Sequence, residues 1–172
     1  MIAASPLSPR TLDLTGPVPP PLLYDDAESD RCHDEWKASC GHHSIAAVCE
    51  VTLEDVRKAV THTKGWMNPT NVAATLRTLG FPFTLTKGLK TKEPTTGINR
   101  IQFEGEWLNP GKPASVAYFY THWVGMRNGC ILDTVIDQSQ WLPVNAWAGA
   151  IDAYASEGRY SGWHITHQYL IE

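Results

Sequence analysis

The stretch Ser39-Cys40-Gly41-His42-His43-Ser44-Ile45-Ala46-Ala47-Val48-Cys49 sets a serine able to cap a helix directly before a cysteine and a short apolar run. That order predicts a helix from Cys40 to Cys49 with a thiol in its first turn. There the sulfur sits at the positive end of the helix dipole, which favours thiolate over thiol. A cysteine so placed still needs a proton acceptor to act as a nucleophile. Tyr120-Thr121-His122-Trp123-Val124-Gly125-Met126-Arg127-Asn128-Gly129-Cys130-Ile131-Leu132-Asp133 offers one.

Asn128-Gly129 is the strongest short hairpin signal in the chain, since both residues tolerate the positive φ of a type I′ turn. Read as a two-residue turn, it sets Arg127 opposite Cys130, Val124 opposite Asp133 and His122 opposite Val135. His122 and Asp133 then become diagonal neighbours on one face. The rest of that face, Val124, Met126, Ile131 and Val135, is apolar, so the aspartate needs a hydrogen-bond partner there. His122 is the expected one. Slipping the turn by one residue would place the two on opposite faces. Asp137 has the same parity and competes for the role.

The remaining chain bounds what these residues serve. At 172 residues it is long enough for one domain with a substantial core. A formal net charge of −4 and the lack of a basic stripe argue against nucleic-acid binding. No apolar run approaches the roughly 18 residues of a membrane span, and no basic start leads into an apolar stretch as in a signal peptide. Four cysteines without even spacing do not read as a disulfide scaffold. A cytoplasmic or virion-associated product is the expectation. Seven tryptophans predict a wide aromatic core or a ring-lined groove.

Residues 1–23 carry Pro6, Pro9, Pro17, Pro19, Pro20 and Pro21, which predict an extended arm. Leu7, Leu12, Leu14, Val18, Leu22 and Leu23 make it too apolar for a solvated tail. It should therefore dock on its own domain, a second copy or a larger assembly. Residues 24–172 read as the folded domain, with Asp25 to Asp30 as an acidic, solvated connector. After the Cys40 helix, Thr52-Leu53-Glu54-Asp55 resembles a capping box, and a third helix runs from Asn68-Pro69 to Gly80. The period then changes to two. Phe81–Thr86, Ile98–Phe103, Ser115–Tyr120, His122–Arg127, Cys130–Ile136 and Trp163–Leu170 read as strands, with a short helix over Asn145–Ala155. Helices first and antiparallel strands second make an α+β layout.

The order of a helical cysteine, a strand histidine and an aspartate on the next strand resembles the papain-like cysteine peptidase clan. More narrowly, Cys40-Gly41, His122-Trp123-Val124 and Ile131-Leu132-Asp133 are similar to the motifs of the bacteriocin-leader (double-glycine) peptidases. The likeness covers about residues 32 to 140. It implies a papain-like fold and a peptide or protein substrate. It also implies a triad of Cys40 as nucleophile, His122 as base and then acid, and Asp133 as the group that orients the imidazole. No metal or organic cofactor is required. An acyltransferase using the same three residues, or a silent papain-like module in an assembly such as a viral particle, would share the pattern.

The sequence departs from the pattern at one position. Many papain-like peptidases carry a glutamine about six residues before the cysteine, where its amide helps to bind the oxyanion. Asp34 stands there instead, and an ionised carboxylate accepts hydrogen bonds without donating any. Trp36, Lys37 or backbone amides are the candidate donors. His43 is a rival base, three residues beyond Cys40. Cys32, His33, Cys40, His42, His43 and Cys49 lack a Cys-x-x-Cys knuckle and do not read as a zinc site.

Overall fold

The structure, a computed structural model, describes residues 18–37, 39–60 and 66–172, excluding the side chains at 138 and 139. Arm residues 1–17 thus lie outside the described residues. Four helices come first: α1 (Asp26–Trp36), α2 (Cys40–Cys49), α3 (Leu53–Ala59) and α4 (Pro69–Thr78). They precede β1 (Phe83–Thr91), β2 (Gly97–Glu104), the one-turn α5 (Ala114–Ala117), β3 (Thr121–Arg127), β4 (Cys130–Asp133) and β5 (Asp137–Pro143). Helix α6 (Val144–Glu157) and β6 (Gly162–Ile171) complete the order. The strands form one antiparallel sheet in the order β1-β6-β2-β3-β4-β5, so the fold is α+β as the periodicity predicts. No helix among the described residues is long and apolar enough to cross a membrane.

Strand alternation divides the core in two. Ile98, Trp123 and Tyr169 pack against α1 to α4. Ile101, Val124, Ile131 and Ile165 pack with Trp147 and Ile151 of α6. Helix α2 is buried from Gly41 to Cys49 and runs in the same direction as β3, with Cys40 near His122 and Val48 beside Gly125. A methyl group at Gly125 would lie 2.8 Å from Val48 Cγ2 and 3.2 Å from the Ser44 carbonyl oxygen. Glycine is therefore what lets the helix lie this close to the strand.

Several sequence expectations need correction. Asp25 to Asp30 is no connector. Asp25 caps α1 by accepting from the Glu28 amide at 2.8 Å, while Ser29, Cys32 and Trp36 form its buried stripe. Acidic side chains suit that end because it carries the positive pole of the dipole. Ser115–Tyr120 is not a strand but α5 followed by a 3₁₀ turn. Gln102 Nε2 lies 3.1 Å from both the Ala117 and Tyr120 carbonyls and holds that coil in place. The strand expected over Cys130–Ile136 stops at Asp133, because the Asp133 carboxylate and carbonyl accept from the Val135 and Ile136 amides at 2.9 and 3.1 Å. That turn launches β5, which strand periodicity did not reveal. Strand β1 runs on to Thr91, beyond the expected Thr86. The capping box at Thr52, the helix opening at Asn68-Pro69 and the Asn128-Gly129 turn, at φ 49° and 73°, are as read from sequence, and Asn68 forms a second capping box with Asn71. From the arm, the Val18 and Pro20 carbonyls accept from Asn128 Nδ2 at 2.8 Å and Trp141 Nε1 at 3.0 Å.

Candidate active site

Ser39 precedes α2 but makes no side-chain cap, contrary to the sequence expectation; its hydroxyl instead lies 3.5 Å from His33 Nδ1. A helix start without such a cap keeps its first amides for other acceptors. Cys40 is half-buried, and the His122 ring and the Trp123 backbone N–H are the groups that act on its thiol. Burial alone would raise the thiol pKa. The His122 charge and hydrogen bond, together with the Trp123 amide, outweigh it and hold the thiol below its ordinary value. Cys32, Cys49 and Cys130 all go the other way through burial, Cys49 to about 12.

His122 Nε2 donates to Asp133 Oδ1 at 2.7 Å, which leaves Nδ1 as the ring nitrogen for Cys40. The hairpin register pairs Arg127 with Cys130, Met126 with Ile131 and Gly125 with Leu132, putting His122 and Asp133 on one face. Burial works against a charged imidazole here. The Asp133 and Cys40 charges and their hydrogen bonds overcome it and raise the His122 pKa. Asp133 is 1% exposed. Burial would raise its pKa too, but the His122 charge and three donors hold it down. Those donors are His122 Nε2, the Val135 amide at 2.9 Å and Trp147 Nε1 at 2.8 Å.

Trp147 is the residue that sequence reading missed. It is fully buried on α6, edge to face with Trp163 at 5.3 Å. Strand β5 separates it from the hairpin, so only a Trp on the apolar face of a short helix was legible. With its N–H on Oδ2 and His122 on Oδ1, the carboxylate has both oxygens engaged and cannot rotate without losing a bond.

The rival residues are placed elsewhere. His43 is 1% exposed, and its Nδ1 donates to the Ser39 carbonyl at 2.9 Å while Nε2 accepts from the Ser29 hydroxyl at 2.9 Å. A carbonyl only accepts, so this tautomer is set, and burial keeps the ring neutral by lowering its pKa. His43 ties α1 to α2, with both ring nitrogens engaged. Asp137 pairs across the β4–β5 turn with Asp133 and is the first residue of β5. Trp36 is a core residue, its ring 5.0 Å from His42 and 5.3 Å from the Arg57 guanidinium. Lys37 is exposed at φ 53°, and Asp34 is exposed on α1. Neither Trp36 nor Lys37 is placed as a free donor beside the thiol, whereas the Cys40 amide lies at the uncapped start of α2. No group of three potential ligands able to hold a metal occurs among the described residues.

A thiol, an imidazole and a carboxylate in this order can store a proton on the imidazole and present a thiolate. A cavity of about 530 Å³ lies apart from them, lined by Trp107, Tyr120, Tyr154, Arg159 and Tyr160 among others. None of the three groups lines it. Comparison with family models, with curated proteins and with solved structures finds no match.

Proposed function

We propose that the protein is a papain-like thiol hydrolase that cleaves a peptide or isopeptide bond. The observation that carries this reading is the continuous chain from Cys40 through His122 to Asp133, with Cys40 the one described cysteine whose pKa falls. The Cys40 thiolate attacks the substrate carbonyl carbon, forming a C–S bond and an oxyanion that the Cys40 amide receives. The proton on His122 passes to the leaving nitrogen as the C–N bond breaks, leaving a thioester. A water molecule then gives a proton back to His122 and attacks the thioester. Collapse expels the Cys40 thiolate and releases the carboxylic acid. Asp133 stays ionised throughout and holds the ring in place, and Trp147 holds Asp133.

Incubation with a mixed peptide library, read by mass spectrometry, tests the reading. Cleavage should occur in the parent protein, vanish in Cys40→Ala and fall by about 10³-fold or more in His122→Ala. Cleavage that survives Cys40→Ala refutes the assignment. An added amine acceptor separates hydrolysis from acyl transfer, since transfer yields the amide in place of the acid.

A further inference from the structure

Most basic side chains seen in close contact have acidic partners: Arg31 with Glu35, Lys58 with Glu54, Lys92 with Asp152 and Arg127 with Glu50. Arg100 does not. It is 5% exposed, and its Nε has no hydrogen-bond partner. Nη1 donates only to the Thr166 hydroxyl, at 3.3 Å, and the guanidinium lies 5.3 Å from the centre of the Tyr118 ring. Among the described residues no carboxylate pairs with it. A buried guanidinium without a counter-charge costs stability, so its presence calls for a ligand that arrives later.

The sheet register places Arg100 in a row. Lys87 of β1 stands opposite His167 of β6, His167 opposite Arg100 of β2, and Arg100 opposite Trp123 of β3. Directly paired residues project to the same side, so three basic side chains cross one face of the sheet toward Trp123. The Trp123 amide is the one that reaches Cys40. Strands lie roughly 5 Å apart, so Arg100 is one strand from Trp123 and Lys87 about three. Tyr118, half-exposed, flanks the row from the segment before β3. His167 also touches Thr166, through Nδ1 at 3.0 Å, so one hydroxyl joins it to Arg100.

We propose that the Lys87–His167–Arg100 row is a subsite for a carboxylate of the peptide substrate, one strand over from Trp123 and its neighbour His122. A guanidinium matches a planar carboxylate with two parallel donors, and an aromatic ring on its face keeps the fork oriented. The carboxylate is an acidic side chain or the peptide's own C-terminus, a few residues from the scissile bond. The proposal rests on the thiol-hydrolase reading for the meaning of the site but not for its detection.

Full-length Cys40→Ala protein, which cannot turn substrate over, is titrated calorimetrically with two pairs of blocked octapeptides. One pair differs as glutamate against glutamine at each position, the other as free against amidated C-terminus; the pair that discriminates identifies the source. The carboxylate form should bind about tenfold tighter or better. That preference should fall to within about twofold in Arg100→Gln and partly in Lys87→Gln, a surface change that leaves the core alone. Arg100→Met should melt no lower than its parent, because it removes an uncompensated charge. Equal binding within both pairs, no binding at all, or a preference that persists in Arg100→Gln overturns the subsite. A loss of more than about 5 °C in Arg100→Met would make Arg100 a structural brace and overturn it equally. Carboxylate selectivity without cleavage by the parent protein would retain the subsite and sink the hydrolase. Cleavage without selectivity would do the reverse.

Discussion

Cys40 opens α2 and Cys49 closes it, so one helix carries the same side chain at both poles. At the C-terminal end everything is closed. Cys49 is 5% exposed, burial drives its pKa to about 12, and the nearby Arg127 only moderates the rise. Arg127 also donates to the Val48 carbonyl and pairs with Glu50 at 2.8 Å, a cation set at the negative pole of the helix. The N-terminal end is left open. Ser39 does not cap it, and His122 and the Trp123 amide converge on the sulfur. The helix dipole supplies only a bias between the ends. What separates the two thiols is that one meets a charged imidazole and the other meets the core.

The largest contrast should appear in alkylation. Near pH 7, Cys40 should react with iodoacetamide about 10³-fold faster than Cys49 in the native protein. Because the Cys40 pKa is lowered, its thiolate persists to lower pH than that of an ordinary thiol, and its rate should fall only as pH drops through that lowered value. The Cys49 pKa is raised to about 12, so its rate should climb roughly tenfold per pH unit below that point. Peptide mapping after timed labelling gives both profiles, and matching profiles would erase the distinction between the two ends.

A smaller effect should follow from loosening the far side of the imidazole. Asp133→Asn keeps the shape but removes the charge that raises His122, so the acid drop in Cys40 labelling should move to higher pH. Any peptidase activity should fall about 10- to 10⁴-fold. Trp147→Phe removes one of three donors to Asp133 and should shift both readouts in the same direction by less, about tenfold at most in rate. If Trp147→Phe lowers the melting temperature but leaves the labelling profile unmoved, Trp147 is packing alone.

Gly125→Ala should have the smallest effect on chemistry and act mainly on stability. The new methyl group meets Val48 and the Ser44 backbone, forcing α2 outward at a cost of about 1–3 kcal/mol. Thermal melting should show the loss, and Cys40 labelling should slow modestly as the helix start draws away from His122. An unchanged melting temperature would mean that α2 is not held against β3 at this point.

Local chemistry made much of this molecule readable from its chain. The Asn128-Gly129 turn sets the β3–β4 register within a few residues, and period two then puts His122 and Asp133 on one face. The α3 and α4 starts follow from caps that involve only neighbours in sequence, and α2 from its apolar run. The sequence could not decide what long-range partners impose. Ser115–Tyr120 alternates like a strand, yet the Gln102 amide from β2 holds it coiled. Asp25 to Asp30 looks solvated, yet its Ser29 faces inward, and its hydroxyl engages one ring nitrogen of His43. Trp147 reaches Asp133, and Arg100 stands in line with His167 and Lys87, only because the sheet brings distant segments side by side. Hydrogen-bond partners of buried polar groups are a property of packing, and packing is settled by the whole chain at once.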